Sequence, residues 1–239
     1  MIKILYEDKD ILAIDKPSGI SVHPSAMLRT NSDNKKEKFV TDWVLKNYPK
    51  MKNVGEPAMY NGVEIKRPGI VHRLDKDTSG VLILAKNQKS YEFIKEQFQN
   101  REVKKVYYAL AQGKINKDKF IIDKPIGRSP NDFRKRLAGR GARGELREAI
   151  TEFKVLKRFK DFTFLEVHPK TGRTHQIRVH LKSISHPVVC DGLYNSKGIC
   201  PKDIDRLALH SLSIEIKNPK GETLKIESTL PKEFKKFLK

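Results

Sequence analysis

The sequence predicts an α+β fold built from antiparallel hairpins and a few helices. Two patterns point there. Strand-like runs come in neighbouring pairs joined by short polar turns, which is the signature of hairpins. Between the pairs lie segments whose apolar residues recur at helical spacing. At the centre is Val81-Leu-Ile-Leu-Ala85, apolar at every position and so read as a strand buried on both faces.

In order along the chain, Ile2–Tyr6 and Ile11–Asp15 form a first hairpin around Glu7-Asp-Lys-Asp10. Lys16 to Pro24 is an extended segment punctuated by proline and glycine, and residues 28–38 are a polar, mobile loop. A helix over about 37–48 turns Phe39, Val40, Trp43, Val44 and Tyr48 to one face, with Trp43 in the core. Five Pro and Gly residues make 49–68 a loop. After the buried strand, Asn87 caps a helix running to about Gln99, and Val103–Gly113 is the next strand. Alternation along that strand puts Tyr108 with Val106 and Leu110, as the core tyrosine. Tyr107 faces the other way beside Lys105 and two alanines, with room for a flat ligand. Residues 123–147 read as a basic, glycine-punctuated loop, 148–159 and 161–168 as a second hairpin, and the residues after Thr174 as a helix capped by that threonine. A hairpin over 212–228 ends a sheet edge, and Leu230–Leu238 is a short basic helix.

Composition narrows the partners. The 239 residues include 49 Lys and Arg against 29 Asp and Glu, a formal charge of +20. An excess of that size points to a polyanion, and without a basic amphipathic helix at either end, nucleic acid is favoured over a membrane surface. No apolar run approaches the ~20 residues that span a bilayer. The N-terminus enters a strand pattern at once, so no secretory signal is expected. Cys190 and Cys200 have neither C-x-x-C spacing nor companions, which predicts neither a disulfide scaffold nor a zinc site and fits the cytoplasm.

Two stretches concentrate chemistry. Gly69-Ile-Val-His72-Arg73-Leu-Asp75-Lys-Asp77-Thr-Ser-Gly80 leads directly into the buried strand. Its second half is explained by an ordinary Asx or Ser/Thr turn, but His72-Arg73-Leu-Asp75 is not. A carboxylate on a loop fixed to the most buried strand is rigidly held. The second stretch, Thr171-Gly-Arg173-Thr-His175-Gln-Ile-Arg178, crowds His and Arg around a helix N-terminus, which suits a carboxylate or phosphate. Arg128, Arg134, Arg136, Arg140, Arg143 and Arg147 lie in or beside the basic loop, which is either solvated surface or an arm that RNA orders.

His72-Arg-Leu-Asp75-x-x-Thr-Ser-Gly80 resembles the active-site motif of the RluA-type pseudouridine synthases. The resemblance extends to the Asp15-Lys-Pro-x-Gly run ending His23-Pro, to Lys105-x-Tyr107-x-Ala109 with Gly113, to Thr171-Gly-Arg-x-His-Gln-Ile-Arg178, and to His186-Pro-Val-Val-Cys190-Asp191-x-x-Tyr194. One position departs: the family has Gly where Cys190 stands, and a local adjustment without loss of activity is expected. The resemblance implies a two-lobed catalytic domain over residues 1–239, a mixed, mainly antiparallel sheet with a central RNA-binding cleft, and no separate N-terminal RNA-binding module. It further implies Asp75 as the catalytic residue, Arg178 as its ionic partner, and Tyr107 either stacking on the uracil or handling its C5 proton. His72, Arg73, Lys105, Arg128, Arg134, Arg136, Arg173 and His175 are then the expected RNA contacts.

The reaction breaks the N1–C1′ bond of uridine and joins C5 to C1′ without redox change, so no cofactor or metal is expected. Expected substrates are structured ribosomal RNA of the large subunit or transfer RNA, engaged by a monomer; an internal base has to be flipped out. A non-catalytic ribosome-assembly protein is the alternative. It explains the charge but requires neither Asp75 nor Arg178. A kinase lacks its glycine-rich loop here, and a glycosidase its second carboxylate.

Overall fold

The structure is a computed structural model describing residues 2–24, 38–60 and 62–238. Most of the segment read as a polar loop therefore lies outside the described residues. The described chain is α+β, with a mainly antiparallel sheet and few helices. It divides into two compact units, the first made of Met1–Val103 with Ser213–Ser228, the second of Lys104–Leu212 with Thr229–Lys239.

In the first unit, strands β1 (Lys3–Glu7) and β2 (Ile11–Lys16) form the expected hairpin. Asp8 closes it, its Oδ1 accepting the amides of Asp10 at 2.8 Å and Ile11 at 2.6 Å. β2 pairs antiparallel along its length with β5 (Ser79–Ala85), every residue of which is buried. Beyond β5 comes β13 (Leu209–Lys217), whose later residues pair with β14 (Thr223–Glu227). β13 has partners on both sides, so the hairpin expected at a sheet edge begins inside the sheet. Helix α2 (Gln88–Gln99) starts at Asn87, whose Oδ1 accepts the Ser90 amide at 2.9 Å. Its Tyr91 and Ile94 pack on Ile11, Val81, Ile83, Ile214 and Ile216 to make this unit's core.

Two expectations change here. Helix α1 (Val40–Asn47) buries Val40, Thr41 and Val44, while Trp43 is half-buried and tilts against Tyr48 at 5.8 Å between ring centres. The helical stripe was real, but the widest side chain lies at its margin. Residues 49–68 are not all loop: a 3-10 turn (Pro49–Asn53) and a hairpin of β3 (Ala58–Tyr60) and β4 (Val63–Ile65) occupy them. Strands this short carry too few residues to show a period.

In the second unit the order runs from the start of β13 through β6 (Lys104–Gln112), β12 (Phe162–Pro169) and β11 (Ile150–Arg158) to β7 (Lys119–Asp123). β12 pairs antiparallel with both β6 and β11, as does β11 with β7. The basic segment is a second, three-stranded sheet, with β8 (Ile126–Arg128) between β9 (Arg136–Ala138) and β10 (Arg143–Arg147). Every residue of β10 is exposed, and Leu146 is its one large apolar residue, so no apolar alternation marks it. Helix α3 (Gln176–Ser183) follows the hairpin β11–β12, and α4 (Lys232–Lys235) is a single turn whose Phe234 packs on Phe164. Cys190 and Cys200 are disulfide-bonded with Cα atoms 5.0 Å apart, contrary to expectation. The chain between them folds back through the bonds Asn195 N–H to Asp191 O and Gly198 N–H to Asn195 O, a return that linear spacing does not reveal.

Candidate active site

The loop bearing Asp75 is tied down from three directions. Lys16 is fully buried, and its ammonium donates to the carbonyls of Pro17 (2.8 Å), Ile20 (2.9 Å) and Lys76 (2.9 Å). The same Lys76 carbonyl accepts the Gly19 amide at 3.0 Å, and Ser18 Oγ donates to Asp77 O at 2.8 Å. Thus the segment after β2 and the residues flanking Asp75 form one body. His72 is the second tie: its Nε2 accepts the Ile83 amide of β5 at 2.9 Å and its ring stacks on Phe98 at 4.7 Å. A nitrogen that accepts carries no proton, so the imidazole is neutral with its hydrogen on Nδ1. Third, Gly69, at φ +68°, donates its amide to Val54 O and accepts the Ala85 amide, both at 2.9 Å, and a Cβ there would run into Ala85 O. Asp75 itself is half-buried, and its carbonyl accepts the Thr78 amide at 3.1 Å in the turn that opens β5.

On β6 the tyrosine assignment reverses. Tyr107 is buried, with 9 % of its surface exposed, while Tyr108 is half-buried and meets Phe164 edge-on at 5.2 Å. Alternation separates the two faces of a strand but does not say which face is covered. Lys105 donates from Nζ to the Thr171 carbonyl at 3.3 Å, and burial lowers its pKa to about 8.

Helix α3 is bonded on every polar side chain that it buries. The Gln176 amide oxygen accepts Thr171 Oγ1 (2.6 Å) and the Arg173 amide (2.9 Å), and its Nε2 donates to Ile150 O and Thr151 Oγ1. Thr151 Oγ1 meets His180 Nδ1 at 2.8 Å, and His180 Nε2 donates to Lys124 O at 3.0 Å. Burial lowers the His180 pKa, which favours the neutral ring, so Thr151 Oγ1 donates its hydroxyl proton to Nδ1. The cap expected at Thr174 is absent. His175 stands at the N-cap with φ +59°, and the turn before it is held by Gln176 reaching back.

Arg178 forms a bidentate pair with Asp191, Nε to Oδ2 at 2.7 Å and Nη2 to Oδ1 at 2.8 Å, with 8 % and 0 % of the two side chains exposed. Asp191 also accepts the amides of Leu193 and Tyr194. Tyr194 lays its ring against the guanidinium at 5.0 Å. Its hydroxyl accepts the Arg136 amide at 2.8 Å and meets His175 Nδ1 at 2.8 Å.

Residues 10–183 match the family described as RNA pseudouridylate synthase. An RNA pseudouridine synthase of Aquifex aeolicus, itself described as uncharacterised, is 40 % identical over 243 residues, covering 98 % of this chain and 71 % of that one. The ribosomal large subunit pseudouridine synthase D of Borreliella burgdorferi is 38 % identical over 237 residues, covering 99 % and 68 %. The fold matches that of human RNA pseudouridylate synthase domain containing 1, with a TM-score of 0.72 at 23 % identity over 100 % of this chain and 86 % of that one. The chain belongs to the RNA pseudouridylate synthase family.

In this pseudouridine synthase, Asp75, His72 and Arg73 belong to the first unit, and Tyr107, Lys105, Arg173, His175 and Arg178 to the second. The expected RNA contacts differ in how they are held. Arg73 and Arg128 are exposed. Arg134 forks onto Asp132, holding that carboxyl at a pKa of about 2, and Arg136 Nη1 turns back to the carbonyls of Phe133 and Lys135. Arg173 Nε donates to Glu148 O at 2.9 Å. Among the described residues, no three His, Cys, Asp or Glu side chains group as metal ligands would. The residues that sequence reasoning missed are Lys16, Asp191 and Tyr194. Their motifs were visible, but single residues without periodicity gave no hint of what they hold.

Proposed function

We propose that this pseudouridine synthase acts on ribosomal RNA of the large subunit, with Asp75 as its catalytic carboxylate. What supports Asp75 most directly is the mounting of its loop by Lys16, His72 and Gly69 against a fully buried strand. A reacting carboxylate gains from such fixed geometry, because misplacement by about 1 Å costs on the order of 100-fold in rate. The ribosomal substrate is supported by the relative named for large-subunit rRNA, which aligns with 99 % of the chain.

The reaction needs an anionic carboxylate beside C1′ or C6 of the target nucleotide. The N1–C1′ bond breaks, the base turns, C5 bonds to C1′, N1 gains a proton and C5 releases one. Half-burial favours the protonated acid, and a guanidinium opposes that. We assign Arg178 this role, with Asp191 holding one edge of it. Tyr107 stacks on the uracil or takes the C5 proton. The +20 charge supplies affinity for phosphates that weakens with salt. The working form is a monomer in the cytoplasm.

The test uses ribosomal and transfer RNA, tritiated at uridine C5, from cells lacking the protein. Tritium release from the ribosomal fraction by wild type, and none by Asp75→Ala, is the expected result. Release from transfer RNA alone would overturn the substrate assignment. Binding without release would favour the assembly-protein alternative.

A further inference from the structure

We infer that Tyr194 is a positioning residue of this enzyme, its ring seating the Arg178 guanidinium and its hydroxyl joining the basic arm to helix α3. The ring half rests on the role proposed above for Arg178; the hydroxyl half does not.

Three observations carry the ring half. Asp191 binds Arg178 through Nε and Nη2, which fixes one edge of the guanidinium plane. Tyr194 supplies a face, 5.0 Å from the guanidinium carbon, where a cation is attracted to the ring. The Tyr194 amide is bonded to Asp191 Oδ1 at 3.1 Å, so one carboxylate sets both the edge and the face. The tyrosine itself is 8 % exposed and packs with Val179 of α3 and with Ile126 and Ala149.

The hydroxyl does something a core tyrosine need not. It accepts the amide of Arg136 on β9 and meets Nδ1 of His175, the residue that starts α3, both at 2.8 Å. One oxygen thus bridges the arm and the helix. The arm carries Arg128, Arg134, Arg136, Arg140, Arg143 and Arg147, and β10 is exposed throughout, as a phosphate-binding surface requires. Ala138 of β9 also packs on the cluster that contains Tyr194. A phosphate-binding arm fixed in this way presents its arginines in one arrangement. Loosened, it loses affinity to conformational entropy.

The two halves separate by substitution. Tyr194→Phe keeps the ring and removes the bridge; Tyr194→Leu removes both. With tritiated ribosomal RNA from cells lacking the protein, the dissociation constant comes from filter binding and the rate from single turnovers at saturating enzyme. Tyr194→Phe should bind this RNA about 3- to 10-fold more weakly, the range for one lost hydrogen-bond link, and turn over within about twofold of wild type once saturated. Tyr194→Leu should in addition lose about tenfold or more in saturated rate. His175→Ala removes the other hydroxyl partner and should copy the Tyr194→Phe loss of affinity, with no further loss in the double variant, which decides the bridge even if the leucine variant does not fold.

Wild-type affinity in both Tyr194→Phe and His175→Ala overturns the bridge. A saturated rate in Tyr194→Phe as low as in Tyr194→Leu overturns the assignment of the ring to Arg178. If Asp75→Ala turns over like wild type, the catalytic reading itself has failed, and the affinity results still decide the bridge.

Discussion

Lys16→Met removes the charge that joins the segment after β2 to the Asp75 loop. Methionine matches the lysine in length, so the buried volume is kept and only the ammonium is lost. Three carbonyls accept from that ammonium, but Lys76 O keeps the Gly19 amide. The Pro17 and Ile20 carbonyls lose their charged donor. Each orphaned buried carbonyl costs about 1–3 kcal/mol, and both residues are half-buried, so water reaches them in part. The expected loss is therefore about 2–4 kcal/mol, offset somewhat because an ammonium no longer has to be desolvated. For a chain of this length that lowers Tm by roughly 4–16 °C. Circular dichroism melts of the two proteins measure it, and the tritium assay should show a rate deficit at temperatures where both are folded. A variant melting within 2 °C of wild type at full rate would show that the three bonds do not hold the loop.

Asp191→Ala leaves Arg178 buried without its bidentate partner, which should cost about 3–5 kcal/mol and be read in the same melts. Asp191→Asn keeps an acceptor for the Leu193 and Tyr194 amides and should recover part of this. Cys190→Ser with Cys200→Ser opens a loop of ten residues' separation, for which chain entropy gives about 3 kcal/mol; oxidised wild type should lose a similar amount on adding reductant, and the double variant nothing. Acid should destabilise the fold through its buried histidines. Burial lowers His210 to about 3 and His23 to about 4, so unfolding takes up protons below about 6.5. Their contribution is complete above that pH and falls toward pH 4 by up to about 1.4 kcal/mol per unit for each ring, which urea titrations at pH 7 and 4.5 will measure.

What the sequence disclosed and what it hid follow from range. β5 was legible because a strand covered on both faces is apolar at every position, and α2 because Asn87 and a spaced apolar stripe mark it locally. Tyr107 and Tyr108 were separated correctly and then assigned to the wrong environments, since burial depends on what lies across the sheet. At Cys190, where the family has Gly, the backbone adopts φ +56°, the region that favours glycine, and the bond to Cys200 depends on a tertiary return. The arm was read as loop because its strands are too short and too exposed to carry alternation. Arg178 was singled out by its motif; that Asp191 pairs with it could be recognised only once the chain was folded.

The most direct test of the catalytic reading is single-turnover tritium release from C5-labelled ribosomal RNA by wild type and Asp75→Asn, an exchange that keeps shape and removes the ionisable carboxyl. Release by wild type, with no detectable release by the variant at equal RNA binding, is the predicted result. Equal release by the two proteins would contradict the assignment of Asp75 as the reacting group.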